Sequence, residues 1–144
     1  MKQLKRASTS GIATAVLGFL IVITPIILPV CEGLLELASG KQVPMRCHWT
    51  ARAEMLLGVL IFIIGLMITF LKNPQERRRL HHLVAMLGAA TILTPIFIIP
   101  TCMNPDMACN LATKPALIIL GGVVLLVGMA GSRTPSMPSS ESTE

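Results

Sequence analysis

Met45-Arg46-Cys47-His48-Trp49-Thr50-Ala51-Arg52-Ala53-Glu54 stands at the edge of an apolar run that continues without a charge to Leu71. These ten residues hold the only Trp of the chain, one of its three His, a thiol, a thioether and charges of both signs. A polar, aromatic entrance followed by enough apolar chain to cross a bilayer is the signature of a membrane helix anchored at its boundary. A weaker copy, Met107-Ala108-Cys109-Asn110 running on to Lys114-Pro115-Ala116, opens the last apolar run. The chain therefore reads as two membrane hairpins, each with a Met-x-Cys before its second helix.

Composition agrees. The 144 residues are 53% hydrophobic and only 13% charged, with mean hydropathy +0.73; a soluble domain carries about 25% charged residues. Four apolar runs account for the excess. Their lengths predict helices over residues 11–30, 51–71, 83–100 and 115–131, each able to span a core of roughly 30 Å at 1.5 Å per residue. The expected architecture is an all-α integral membrane domain over 11–131. A basic segment, 1–10, precedes it, and a Ser/Thr/Pro-rich tail, 132–144, has too little apolar surface to fold. The first run exceeds the roughly 7–15 residues of a signal-peptide core and lacks a small-x-small site after it, so it reads as a retained helix.

The net charge of +5 gathers at the ends of the runs. Basic residues without interleaved aromatics meet lipid headgroups and set orientation; no nucleic-acid partner is expected. The amino-terminal segment, the central stretch Lys72 to His82 and the tail hold eight of the twelve Lys and Arg. Positive loops stay inside, which puts both termini in the cytoplasm and both cysteine-bearing connections outside. In the first connection, Glu32 to Leu37 suggests an amphipathic turn and Ser39-Gly40-Lys41 a reversal. Thr50 is placed to cap the second helix, and Glu54 in its first turn to meet the positive end of the helix dipole.

An internal repeat organises the spans. Leu17-Gly18 and Thr24-Pro25-Ile26 recur seventy residues later as Leu87-Gly88 and Thr94-Pro95-Ile96. Pro29-x-Cys31 recurs as Pro100-x-Cys102 after a one-residue slip, and Gly58 with Gly65 recurs as Gly121 with Gly128. Both copies enter from the same side, so the repeats are parallel and related by an axis along the membrane normal. Gly58, Gly65, Gly121 and Gly128, seven apart within each helix, mark faces where backbones approach closely. Pro25 and Pro95 bend their helices, and the hydroxyls of Thr24 and Thr94 can take up the carbonyls left without donors.

Chemistry-bearing residues cluster on the outer side. Cys31, Cys47, Cys102 and Cys109 read as two disulfides; Cys31–Cys47 and Cys102–Cys109 respect the repeat with the shortest loops, though sequence leaves all three pairings open. The rival reading is a soft-metal site for copper, or a thiol-redox centre, built from Met45, Cys47, His48, Met107 and Cys109, with Cys102 and Met103 nearby. His48, Trp49, Arg52 and Glu54 form a polar cluster suited to a partner or a headgroup, with Arg52 and Glu54 near enough to the surface to be solvated. His81-His82, after three arginines, reads as a solvated edge. No nucleophile–base set, phosphate loop, intramembrane carboxylate pair or haem-binding His pair is present, so no catalytic residue is assigned.

Cys47-His48-Trp49-Thr50-Ala51-Arg52-Ala53-Glu54 with the downstream Gly58 resembles the signature of a family of small bacterial four-helix membrane proteins known as a domain of unknown function. Met107-x-Cys109 and Pro115-Ala116-Leu117 extend the likeness over about residues 11 to 131. The resemblance implies a multi-pass protein of the bacterial cell membrane and an accessory role beside ABC-type export systems, with a permease as partner. A non-enzymatic accessory or scaffolding subunit with a disulfide-stapled outer cap is thus the expected function. A second copy of the chain is a further candidate partner.

Overall fold

A computed structural model describes residues 2–28, 34–36, 40, 42–44, 46–98 and 109–133. Four long helices make up nearly all of it: α1 Lys2–Ile27, α2 Arg46–Phe70, α3 Pro74–Leu93 and α4 Lys114–Ser132. Two three-residue strands, β1 Leu34–Glu36 and β2 Gln42–Pro44, pair antiparallel in the first connection, with Leu34 opposite Pro44. Gly40, at φ +74°, lies between them, where a left-handed turn residue suits a glycine. The amphipathic turn expected over 32–37 is thus replaced, at Leu34 to Glu36, by one arm of this hairpin.

The segments Thr9–Ile27, Cys47–Phe70, Pro74–Ile98 and Asn110–Ser132 are long and apolar enough to cross a membrane. The protein is a multi-pass membrane protein, and its apolar outward faces belong in a lipid bilayer.

Several boundaries move from their expected places. α1 begins at Lys2 rather than at residue 11, because Lys2 to Ser10 contains neither Gly nor Pro to stop a helix. α2 begins at Arg46, so Thr50 is a buried residue inside the helix and not its cap. The expected basic loop is mostly helix: α3 starts at Pro74, Asn73 is its N-cap, and the Asn73 side chain accepts a hydrogen bond from the Gln75 amide at 3.2 Å. Asn before Pro is a strong start signal, since Asn satisfies a free amide and Pro brings none. Only Leu71 to Asn73 joins α2 to α3. After Leu93 the backbone widens into a π-helical turn, Thr94–Ile98, and a second π-helical turn, Cys109–Thr113, leads into α4. The tail from residue 134 lies outside the described residues.

α1 packs chiefly on α2 and α3 on α4, with lesser contacts from α1 to α4 and from α2 to α3, closing a four-helix ring. Buried positions recur at alternating steps of three and four along α1, α2 and α3, and along α4 as far as Gly128, the heptad of a packed bundle. In α2 the two columns are Ala51, Gly58, Gly65 and Cys47, Glu54, Ile61, Ile68, all buried. The glycine column meets the backbone of α1. A Cβ on Gly58 would stand 2.9 Å from the Gly18 carbonyl oxygen, and one on Gly18 would stand 2.5 Å from the Phe62 amide nitrogen. In the second hairpin a Cβ on Gly88 would stand 2.6 Å from the Leu125 amide nitrogen, and one on Gly121 3.1 Å from the Gly88 carbonyl oxygen. The other column turns inward: Ile21, Ile61, Ile68, Val84, Leu117 and Val124 form the apolar core.

Threonines bond within their own helices. Thr24 and Thr94 donate to the carbonyls of Leu20 and Ala90, at 2.7 and 2.8 Å. The Leu20 carbonyl is one residue short of Ile21, the carbonyl to which Pro25 has no N–H to give in α-helical pairing, while Pro95 lies inside the π-helical turn, where pairing is no longer i to i−4. The hydroxyl of a helical Thr reaches its own i−4 carbonyl, so these side chains do not repair the proline breaks.

Candidate functional site

The ten opening residues do not form one patch. Trp49 is 59% exposed and Arg52 is exposed on the outer flank of α2, while the half-buried His48 ring meets Trp49 edge-on with centroids 6.2 Å apart. Glu54 points the other way. It is 0% exposed, and neither carboxyl oxygen has a hydrogen-bond partner among the described residues. Residues five apart on a helix are turned by about 140° at 3.6 residues per turn, so Trp49 and Glu54 cannot share a face. The expectation that Glu54 sits solvated at the surface is corrected: it belongs to the same column as Ile61 and Ile68.

Cys47 is buried one heptad before Glu54. No disulfide is found among the described residues; Cys31 and Cys102 lie outside them, as does the side chain of Cys109. Met45 and Met107, invoked for a soft metal, also lie outside. Among the described residues no group of three His, Cys, Asp or Glu stands close enough to hold a metal.

The end of the bundle that carries the α2–α3 link holds a second buried ionisable residue. His81, expected from sequence to be part of a solvated edge, is 2% exposed. Its Nε2 lies 3.5 Å from the Ser10 hydroxyl, its Nδ1 has no partner among the described residues, and its ring lies where a side chain on Gly131 would go. The signal is present in the spacing: His81 precedes Gly88 by seven, as Gly11 precedes Gly18. Heptad phase, not local charge, decides which of two adjacent histidines turns inward; His82 is exposed.

Polar burial extends along the whole bundle. Thr14, Thr50, Thr91, Thr94, Thr113 and Ser132 are all buried, and the Thr113 hydroxyl, like the Glu54 carboxyl, has no partner among the described residues. Against the known sequence families, a model described as a domain of unknown function, DUF4418, matches residues 14–132. The chain belongs to this family. The DUF4418 match runs from Thr14, midway along α1, to Ser132, the last residue of α4, and so takes in Glu54, His81 and the seam glycines from Gly18 to Gly128. No curated protein and no solved structure matches the chain.

Proposed function

We propose that this protein is a non-enzymatic accessory or scaffolding subunit of the bacterial cell membrane, with both termini cytoplasmic and its two longer connections outside. The observation that carries the reading is the exposed Trp49 beside Arg52 at the mouth of α2. An indole and a guanidinium on one rim are the residue types that most often anchor protein interfaces. The seam glycines Gly18, Gly58, Gly65, Gly88, Gly121 and Gly128, in contrast, are spent inside the hairpins and leave none of their columns for a partner. A permease of an ABC-type export system is the partner class that the family resemblance suggests, and a second copy of the chain is the alternative occupant.

The bundle itself is proposed to be two tandem hairpin repeats. Its support is the coincidence of the two one-residue slips with the two π-helical turns. Pro25 to Pro29 is four residues and Pro95 to Pro100 five; Cys47 to Gly58 is eleven and Cys109 to Gly121 twelve. A π-helical turn takes in one extra residue and leaves the phase of the helix beyond it unchanged. The outer cap is proposed to be stapled by Cys31–Cys47 and Cys102–Cys109. Support for the first pair comes from the β-hairpin, whose Leu34–Pro44 rung is three residues from Cys31 on one side and from Cys47 on the other.

A photo-crosslinking residue at position 49 tests the partner reading. It should capture protein in native membranes, whereas one at the exposed Phe70 should capture lipid alone. Lipid alone at both positions would remove the interface. Thiol counting on the unreduced protein tests the staples; four blocked thiols are expected, and reactive thiols would overturn them.

A further inference from the structure

The four helices do not stop together at the end of the bundle that carries the α2–α3 link. The close approaches at the glycines set α1 against α2, with Gly65 at Ala15 and Gly11 at Thr69, so Phe70, the last residue of α2, is level with Ser10. In the second hairpin Gly128 meets Ala85 and Gly131 meets the His81 ring, so α4 stops, at Ser132, about level with His81. Ser10 and His81 are themselves in contact, which puts both stops at one height. Beyond it α1 runs on to Lys2, eight residues from Ser10, and α3 to Pro74, seven from His81. That overhang is about 10–12 Å at 1.5 Å per residue. The apolar spans of α1 and α2 end at the same height, at Thr9 and Phe70, so the overhanging turns stand in the headgroup layer.

That layer is strongly basic. α1 brings three basic residues before Ser10, the link Lys72, α3 three consecutive arginines and the end of α4 Arg133, against Glu76 as the one acid in these segments. The carboxyl ends of α2 and α4 add only about −0.5 charge each, and the overhanging amino ends of α1 and α3 offset them. Arg77 differs from its neighbours Arg78 and Arg79, which are exposed. It stands seven before the buried Val84, so helical phase turns it inward, past the end of α4. It is half-buried, and its Nε is closed to water with no hydrogen-bond partner among the described residues. A guanidinium that has lost part of its hydration suits an anion, and phosphate matches its planar fork.

The flank of α4 says what carries that phosphate. One exposed column of the helix reads Ile119, Leu126, Arg133, each seven from the next; the first two are 66% and 63% exposed, and the apolar stripe ends in an exposed cation. That is the chemical order of a phospholipid read from chain to headgroup. A free phosphate has no use for the stripe. We propose that α4 binds one anionic phospholipid, with an acyl chain along Ile119 and Leu126 and the headgroup over the end of the helix, where Arg133 closes the stripe and Arg77 reaches past Ser132. The overhang of α1 and α3, which the apolar core does not require, sets the surrounding basic turns at phosphate height. This site is independent of the rim at Trp49, which lies at the other end of α2.

The test is thermal unfolding of the whole protein in a neutral detergent, titrated with phosphatidylglycerol or with phosphatidylcholine of the same acyl chains. A ligand that binds only the folded state raises the midpoint as its concentration passes the dissociation constant. Phosphatidylglycerol should raise the midpoint saturably where phosphatidylcholine does not. Arg77→Gln and Arg133→Gln should each need several-fold more phosphatidylglycerol for the same shift, while Arg78→Gln and Arg79→Gln should respond as the unaltered protein does. Equal responses to the two lipids overturn the proposal. So does an equal loss in all four variants, which would mean diffuse attraction to a basic surface. Inorganic phosphate that shifts the midpoint as far as phosphatidylglycerol, at matched ionic strength, would give the arginines to a soluble anion and remove the lipid. Should Arg77→Gln fail to fold, native mass spectrometry of the unaltered protein decides. From an equimolar mixture one phosphatidylglycerol should stay bound in preference to phosphatidylcholine, and the absence of any preference overturns the site.

Discussion

Glycine is not one kind of residue in this chain, and the difference is measurable. At Gly18 and Gly88 an added Cβ would fall within 2.5 and 2.6 Å of a backbone nitrogen of the facing helix, whereas at Gly122 it would meet nothing within 4 Å. Ala at either of the first two positions should cost about 1–3 kcal/mol by forcing the helices apart. Gly122→Ala should instead add about 0.5–1 kcal/mol, the ordinary helix preference. Thermal midpoints in detergent compare all three, and equal effects would contradict the seam. Glu54→Leu places the residue of the second hairpin in the first. Removing a buried polar group that lacks a partner should stabilise the protein by about 1–3 kcal/mol, read in the same assay. Gly131→Ala should destabilise by pressing on the His81 ring, and His81→Ala should rescue it. The inward turn of Glu54 and of His81 is legible in principle, since both stand seven residues from members of a buried column. Local composition hides it: their neighbours in sequence, Arg52, Arg79 and His82, are polar, and nearness along the chain says less about burial than helical phase does.

At the level of the elements, the four spans are readable because uninterrupted apolar runs of this length have few other uses. Their ends are less so. The central basic stretch looks like a loop by charge, yet Asn73-Pro74 carries a start signal that outweighs it, and Glu76, Arg78 and Arg79 ride exposed on the first turns of α3, with Arg77 half-buried. Asn73→Ala should therefore cost about 1 kcal/mol, visible as a lower midpoint, whereas Gln75→Ala, exposed on the first turn, should cost little. The π-helical turns make a stranger prediction. Deleting Ala112 from the turn Cys109–Thr113 should convert it to ordinary helix and leave the protein folded. Deleting Leu120 should rotate everything on one side of it by about 100° and split Gly121 and Gly128 from the helix they face. Folded yield distinguishes the two deletions. Nothing in the local composition of either turn announces its widened geometry; only the slip between the two copies does.

For the molecule as a whole, orientation is the statement on which the compartment of every site depends. Single cysteines introduced at Gly40 and Asn104, in a cysteine-free background, should react with an impermeant reagent from outside, and one at Gln75 should not. The reverse pattern would move Trp49 and the Glu54 layer to the cytoplasmic half. The apolar pattern does not convey how the interior is divided between apolar and polar groups. Thr14, Thr91 and Thr113 are all buried, because hydroxyls in a membrane helix turn toward other helices.

The three-residue link Leu71 to Asn73 has a consequence for how the chain is made. A ribosome delivers α1 and α2 completely before any of α3 leaves it, and the glycine seam between the first two helices needs nothing that comes later. The first hairpin can thus enter the bilayer as a closed pair, with Glu54 still facing lipid until α3 and α4 arrive to enclose it. Each newly made chain passes through a stage in which that carboxyl has only water, headgroups or the insertion machinery for company. The second hairpin, carrying Leu117 at the same place, meets no such obstacle, so translation in this order presents the difficult half while the rest of the chain is still tethered and close at hand.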